Sequence, residues 1–233
     1  ARDIIYTQPD RHPTRLLEIP IIHRDGSQFV AEIVVTAFES GDKNVFLSIG
    51  RDITERKRME EELRRLATTD SLTGLYNRRH FLDLTEKEFA RFKRTGEIFT
   101  IIMMDIDHFK EVNDTLGHSV GDQVLVELAK LIKEAVREID IVGRIGGEEF
   151  AITLVRCQGL ACGIEIASRL RTLIETTPIE TTAGKIWITI SAGVAVLSDE
   201  DNDISNVIIR SDLALYRAKV LGRNRVVNSN MLG

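Results

Sequence analysis

The stretch 99–107 constrains the fold more than any other part of the chain. Phe99, Ile101, Ile102, Met103, Met104 and Ile106 make it apolar on both faces, so it reads as a buried central strand. It ends in acids. The two-residue period of a strand puts Asp105 and Asp107 on one face, at the edge of the core. Buried carboxylates cost much free energy unless they are paired or bound to a cation. A lone acid at a strand end is usually a turn former, so this stretch by itself only suggests a metal site.

Helices and strands alternate around it. Helices are expected at 81–94, 123–138, 162–176 and 204–221, a hairpin at 141–154 and a further strand at 187–197. The class is α/β, with helices covering a mostly antiparallel sheet. The N-terminal part differs. Segments 16–22, 28–38 and 44–50 are apolar or alternating, with turn-like breaks at Arg24-Asp25-Gly26-Ser27 and Ser40-Gly41-Asp42. That is a β-meander with too few strands to close a domain alone. The chain starts without Met, and an upstream half of the same domain is expected. Residues 54–66 contain no Gly or Pro and are strong helix formers, with Thr54 as the expected N-cap. Met59, Leu63 and Leu66 form a narrow apolar seam there. It reads as a solvated linker helix or, more sharply, as a short parallel coiled coil.

The formal net charge of -5 argues against a protein that coats DNA, yet a phosphate substrate needs only a few local cations. No run approaches a membrane span and the first residues lack a signal-peptide pattern, so a cytoplasmic location is expected. Cys157 and Cys162 are too few for a disulfide framework and are expected as unlinked packing or surface residues.

A second chemical feature lies at Arg144-Ile145-Gly146-Gly147-Glu148-Glu149-Phe150. Paired glycines make a tight hairpin turn and let a bulky ligand approach the backbone. A hairpin alone does not explain two acids at the mouth of a core strand. If this hairpin lies beside 99–107, Asp105 meets Glu148 or Glu149, and three or four carboxylates crowd one spot. Their repulsion calls for divalent cations, and an oxygen-only ligand set favours magnesium over zinc.

The segment Gly146-Gly147-Glu148-Glu149-Phe150 resembles the signature of the GGDEF family in its Glu variant. Asp70-Ser71-Leu72-Thr73-Gly74-Leu75-Tyr76-Asn77-Arg78-Arg79 resembles the family's opening motif. Segments 105–110 and 113–122 resemble its metal and guanine segments, and 191–195, 214–219 and 222–224 complete the set in family order. The resemblance implies a domain at 70–233 with a nucleotidyl-cyclase-like fold, an intervening signalling helix at 54–69, and at 1–53 the last strands of a PAS sensor domain. It implies a diguanylate cyclase that condenses two GTP molecules into cyclic di-GMP and pyrophosphate.

Specific roles follow from the same resemblance. Asp105, the carbonyl of Ile106 and Glu148, with Glu149 sharing the role, hold two Mg2+ ions, with Mn2+ as a possible substitute. Such a pair would activate a ribose 3′-hydroxyl for attack on an α-phosphate. Glu148 is the candidate base, and Lys110 would stabilise phosphate charge. Lys219 and Arg223, expected on one face of the last helix, would grip the terminal phosphates. Asn113 and Asp122 would select guanine, with Phe109 and His118 lining the substrate pocket. Arg137 and Asp140, with Arg169 on a neighbouring helix, resemble an inhibitory product site. Since two nucleotides are joined symmetrically, two copies of the chain must face each other. No nucleic-acid or membrane partner is expected. The rival classes are a non-catalytic receptor for GTP or cyclic di-GMP, a general nucleotidyl cyclase or polymerase palm, and a pure interaction module.

Overall fold

A computed structural model describes residues 4–6, 14–40, 43–157 and 159–232. The chain divides into two compact units, 1–65 and 66–233. The first carries an antiparallel meander in sequence order: β1 (Ile4–Tyr6), β2 (Thr14–Ile22), β3 (Gln28–Ser40) and β4 (Lys43–Asp52). The first expected turn is present. Gly26 has φ +85°, and the Asp25 carboxylate accepts from the Ser27 backbone N–H at 2.9 Å and its hydroxyl at 2.6 Å. Of the second break, Gly41 and Asp42 lie outside the described residues.

Helix α1 (Thr54–Thr68) follows. Thr54 does not cap it as expected. Its hydroxyl accepts from the Val30 N–H at 2.9 Å, while the Asp52 carboxylate accepts from the Thr54 N–H at 2.8 Å. The reason is backbone accounting: the Val30 N–H needs an acceptor where the β3–β4 ladder runs out, and the Thr54 hydroxyl is within reach. Asp52 then takes the capping role. Met59, Leu63 and Leu66 are 57%, 67% and 56% exposed, so the apolar seam of α1 is uncovered in a single chain.

The second unit is built on a six-stranded sheet. Its elements are β5 (Tyr76–Asn77), α2 (Arg78–Thr95), β6 (Thr100–Ile106), α3 (Phe109–Leu116), α4 (His118–Ala135), β7 (Ile141–Gly146), β8 (Glu149–Leu154), α5 (Leu160–Thr176), β9 (Ile179–Thr181), β10 (Gly184–Ile186), β11 (Ile190–Val196), α6 (Ile204–Val220) and β12 (Val226–Asn228). The order is β12-β11-β6-β8-β7-β5. The inner pairs are antiparallel and the two outer pairs parallel. Strands β9 and β10 form a separate small hairpin that the sequence reading did not anticipate.

Every residue of β6 is buried. The period of two then divides its side chains between two cores. Ile102, Met104 and Ile106 pack with Val124 and Leu128 of α4 and Leu170 of α5. Ile101 and Met103 pack with Phe81 and Phe89 of α2 and Val207 and Leu215 of α6. Burying each such side chain contributes roughly 1.5–3 kcal/mol. Asp105 belongs by parity to the second face, the one α6 covers. Gly193 in β11 makes that cover close, since a Cβ there would overlap the Ser211 carbonyl and the Leu215 N–H of α6.

The helical boundaries differ in one instructive place. The helix expected at 123–138 runs instead from His118 to Ala135, preceded by α3. Gly117 at φ +87° separates the two helices, and Val136 turns extended and ends the second. Trp187, expected in a strand, precedes β11 and is 63% exposed. Cys157 and Cys162 are joined as a disulfide, against the expectation of unlinked thiols. The two Cα atoms lie 5.9 Å apart, within bridging range. No helix among the described residues is long and apolar enough to cross a membrane.

Candidate active site

Strand β6 delivers Asp105 to the end of the sheet, 6% exposed and paired across the ladder with Glu149 of β8. The Ile106 N–H donates to the Glu148 carbonyl at 3.4 Å. Burial pushes the Asp105 carboxyl above its usual range. Glu148 and Glu149 push the same way, and only Lys219 opposes, its ammonium 2.7 Å away. The expected meeting of strand end and hairpin therefore occurs, and it leaves Asp105 short of positive charge. Asp107 goes elsewhere. Its carboxylate accepts from the Ser191 hydroxyl at 2.6 Å, the Thr189 hydroxyl at 2.7 Å and the Asn224 N–H at 3.0 Å. It is a structural latch that ties β6 to β11 and to the turn after α6.

The donor set fits a hard divalent cation: carboxylates and backbone carbonyls, with no sulfur or imidazole. Among the described residues no three His, Cys, Asp or Glu side chains are drawn together as a cage. Lys219 holds the Asp105 carboxylate instead. Its presence there is what an acid starved of cations requires.

The hairpin itself is held from behind. Arg144 donates from Nε to the Gly147 carbonyl at 2.9 Å and from Nη1 to the Asp70 carboxylate at 3.1 Å. Asp70 also accepts from the Thr73 N–H and hydroxyl at 2.9 and 2.7 Å. This chain fastens the turn bearing Glu148 to the turn before β5. Sequence reasoning singled out neither Asp70 nor Arg144 as an ion pair, although opposite charges in two glycine-bearing motifs were a usable signal.

Asn113 and Asp122 lie on the α3–α4 pair. Asn113 is half-buried, and its side chain rests on Gly121, where a Cβ would overlap its Oδ1 and crowd the Phe109 ring. Gly121 was not foreseen as a site residue; it gives Asn113 its seat beside Asp122. Asp122 is exposed and lines a cavity of about 380 Å³ with Leu72, Ser119 and Gln123. Phe109 is buried in the core at 7% exposure, so it supports the site from below. His118 and Lys110 are exposed in the first turns of α4 and α3.

The end of α6 corrects one expectation. Lys219 is on the helix, but Arg223 is not on the same helical face. The helix stops at Val220, and Gly222, Arg223 and Asn224 take φ of +112°, +61° and +45°. The Arg223 N–H closes back on the Ala218 carbonyl at 3.0 Å, a left-handed ending led by Gly222. Counting a 3.6 period through a glycine overlooked this stop.

Comparison with known proteins decides the family. The family model described as diguanylate cyclase, GGDEF domain, matches residues 67–225. The chain belongs to the GGDEF family. It is 41% identical to diguanylate cyclase DgcM of Escherichia coli K12 over 188 residues, covering 80% of this chain and 44% of that protein. It is 36% identical to a diguanylate cyclase of Vibrio cholerae, covering 91% and 60%. The chain thus spans about half the length of the curated relatives it matches. Among solved structures, the coiled coil and GGDEF domain of DgcB from Caulobacter crescentus, in complex with c-di-GMP, superposes with a TM-score of 0.69 at 34% identity, covering 75% of this chain and 92% of that one. The active GGEEF domain of a Vibrio cholerae diguanylate cyclase gives 0.62 at 38%, covering 66% and 96%.

A second cavity of the GGDEF domain, about 290 Å³, collects the three residues expected at an inhibitory site. Arg137, Asp140 and Arg169 line it with Cys162 and Glu165. Asp140 is fully engaged within the protein. Its carboxylate accepts from the Arg137 N–H at 3.0 Å, from Arg137 Nε and Nη2 at 3.3 Å, and from the Val155 N–H at 3.1 Å. Arg137 Nη2 also reaches the Val155 carbonyl at 3.1 Å. Arg169 donates to the Ala135 carbonyl at 2.8 Å and is exposed. Here the acid positions the arginine rather than facing solvent.

Proposed function

We propose that this GGDEF domain condenses two GTP molecules into cyclic di-GMP and pyrophosphate, working as a pair of copies. One observation carries the reading: Asp105, buried and short of cations, sits at a strand end beside Glu148 and Glu149. Such a centre is suited to divalent ions and to a triphosphate that brings them. The Asp105 and Glu148 carboxylates and the Ile106 carbonyl would hold Mg2+, or Mn2+, with Glu149 sharing the load. When bound, such ions would supply charge neutralisation and Lewis acidity toward a hydroxyl.

The remaining work falls to the chain's own groups. Glu148, half-buried on the hairpin, takes the proton from the ribose 3′-hydroxyl that attacks the α-phosphate of the second GTP. Lys110 steadies the charge that builds on that phosphate. Lys219 exchanges its Asp105 partner for the triphosphate, and Arg223 joins it from the turn. Asp122 accepts from guanine N1–H and the exocyclic amine, Asn113 meets the base edge from its seat on Gly121, and His118 lines the ribose side. Adenine reverses that donor pattern and is refused.

Product returns to Arg137 and Arg169, with Asp140 orienting the first. The exposed seam of α1 pairs two copies so that their sites face. Residues 1–53 are the last strands of a PAS sensor domain, 54–69 its output helix and 70–233 the cyclase domain. The test is product analysis after bound nucleotide has been stripped. With GTP and Mg2+ the chain should release pyrophosphate and cyclic di-GMP, with a rate per chain that rises with protein concentration, while ATP gives neither. Nucleotide binding without pyrophosphate would turn the assignment to a receptor.

A further inference from the structure

Cys157 and Cys162 belong to no role described so far, yet their position is informative. Cys157 is buried at 1% exposure, two residues beyond Val155, the residue whose N–H and carbonyl hold Asp140 and Arg137. The Cys157 carbonyl is itself anchored, accepting from the Thr100 hydroxyl of β6 at 3.4 Å. Cys162 is half-buried and lines the Arg137 cavity directly. From it, Glu165, Ile166 and Arg169 follow along one face of α5 at spacings of three, four and seven, and all line the same cavity. The bridge therefore ties the end of β8, which holds Arg137 and Asp140 through Val155, to the face of α5 that lines the pocket with Arg169.

We propose that Cys157 and Cys162 form a reversible thiol–disulfide site that sets how firmly the Arg137–Arg169 pocket is organised, and with it the affinity for cyclic di-GMP. The proposal rests on the product-site reading above. Oxidation by a low-molecular-weight disulfide is balanced by exchange. The Cys162 thiolate attacks one sulfur of the reagent and expels a thiol, then the Cys157 thiolate attacks the mixed disulfide and expels a second thiol. Two protein thiols and one reagent disulfide become one protein disulfide and two reagent thiols, with each departing proton passing to the expelled thiolate. Reduction reverses both steps, entering at half-buried Cys162. With the bridge closed, the walls are fixed and less ordering is left for product to impose. With it open, the covalent tie between Cys157 and α5 is gone and both arginines lose their common frame.

The experiment uses the full chain, equilibrated across dithiol–disulfide buffers. Free thiols are counted by alkylation and mass spectrometry, and cyclic di-GMP binding is measured by calorimetry at each poise. Oxidised protein should show no free thiol and bind product about five- to tenfold more tightly than reduced protein, a typical size for coupled sites. Cys162→Ser should bind as the reduced form does and ignore the buffer. Initial GTP turnover, before product accumulates, should be equal in both states. Two free thiols at every poise would overturn the proposal. So would a bridge that opens and closes with unchanged product affinity. Failure of the underlying product site is told apart by Arg169→Ala, which must weaken binding in oxidised protein; if it does not, the pocket assignment itself falls.

Discussion

Two buried aspartates of the GGDEF domain end in opposite circumstances. Asp140, its side chain 1% exposed, receives bonds from the backbone and guanidinium of Arg137 and from Val155. Asp105, its side chain 8% exposed, has Lys219 on one side and the like charges of Glu148 and Glu149 on the other. The first acid is satisfied within the chain. The second has one cation set against two like charges, and burial first, then those charges, push its carboxyl upward. Equal burial thus separates into structure and chemistry according to whether the neighbours complete the charge.

That contrast can be broken by mutation. The largest effect is expected at Asp105. Asp105→Asn should lower cyclic di-GMP synthesis by roughly 10³-fold, the scale of losing a principal electrostatic stabiliser. Its thermal midpoint should stay level or rise, because the cost of burying the charge and the repulsion from Glu148 and Glu149 together outweigh the bond to Lys219. A marked fall in stability would erase the distinction drawn above. Asp140→Ala should do the reverse to the fold, lowering unfolding free energy by about 1–3 kcal/mol in a urea titration, because the Arg137 and Val155 N–H groups lose their acceptor. Initial turnover with product removed should change far less than for Asp105→Asn.

Asp70 lies between the two cases and sharpens the comparison. Burial would raise its carboxyl, but the hydrogen bonds from Thr73 and Arg144 outweigh that and hold it below the usual 3.8. A carboxyl lowered by folding gives stability that is whole above the unfolded value and fades as pH falls through the folded one. Asp70→Asn should cost about 1.5–3 kcal/mol at neutral pH, the range for a hydrogen bond to a charged group. It should also flatten the decline in stability below about pH 4. Denaturant titrations at several acid pH values check both. An unchanged acid limb would mean that Arg144 does not lean on this carboxylate.

Much of this was legible in the chain. The apolar run 99–107 specified a central strand because nothing else accommodates six apolar side chains on both faces. The paired glycines specified the hairpin, and the family motifs placed Asp105, Glu148, Asn113 and Asp122 in order. Legibility failed where a local rule met a longer constraint. Thr54 looked like a cap until Val30 required its hydroxyl. Arg223 looked helical until Gly222 ended the helix. Asp107 shared a strand face with Asp105 by period alone, yet Thr189, Ser191 and Asn224 enclosed it.

What the sequence determined by itself, then, is what depends on short range: strand and helix periods, turn residues, and the supply of acids and cations. Only the tertiary structure decided which acid meets which cation. Asp105 found Lys219 across more than a hundred residues because parity on β6 turned it toward α6, and Gly193 let that helix come close. Cys157 found Cys162 because their two Cα atoms lie 5.9 Å apart. Partners of this kind are set by packing geometry and not by spacing along the chain, since charge and sulfur interact through space only once the core has fixed the distances.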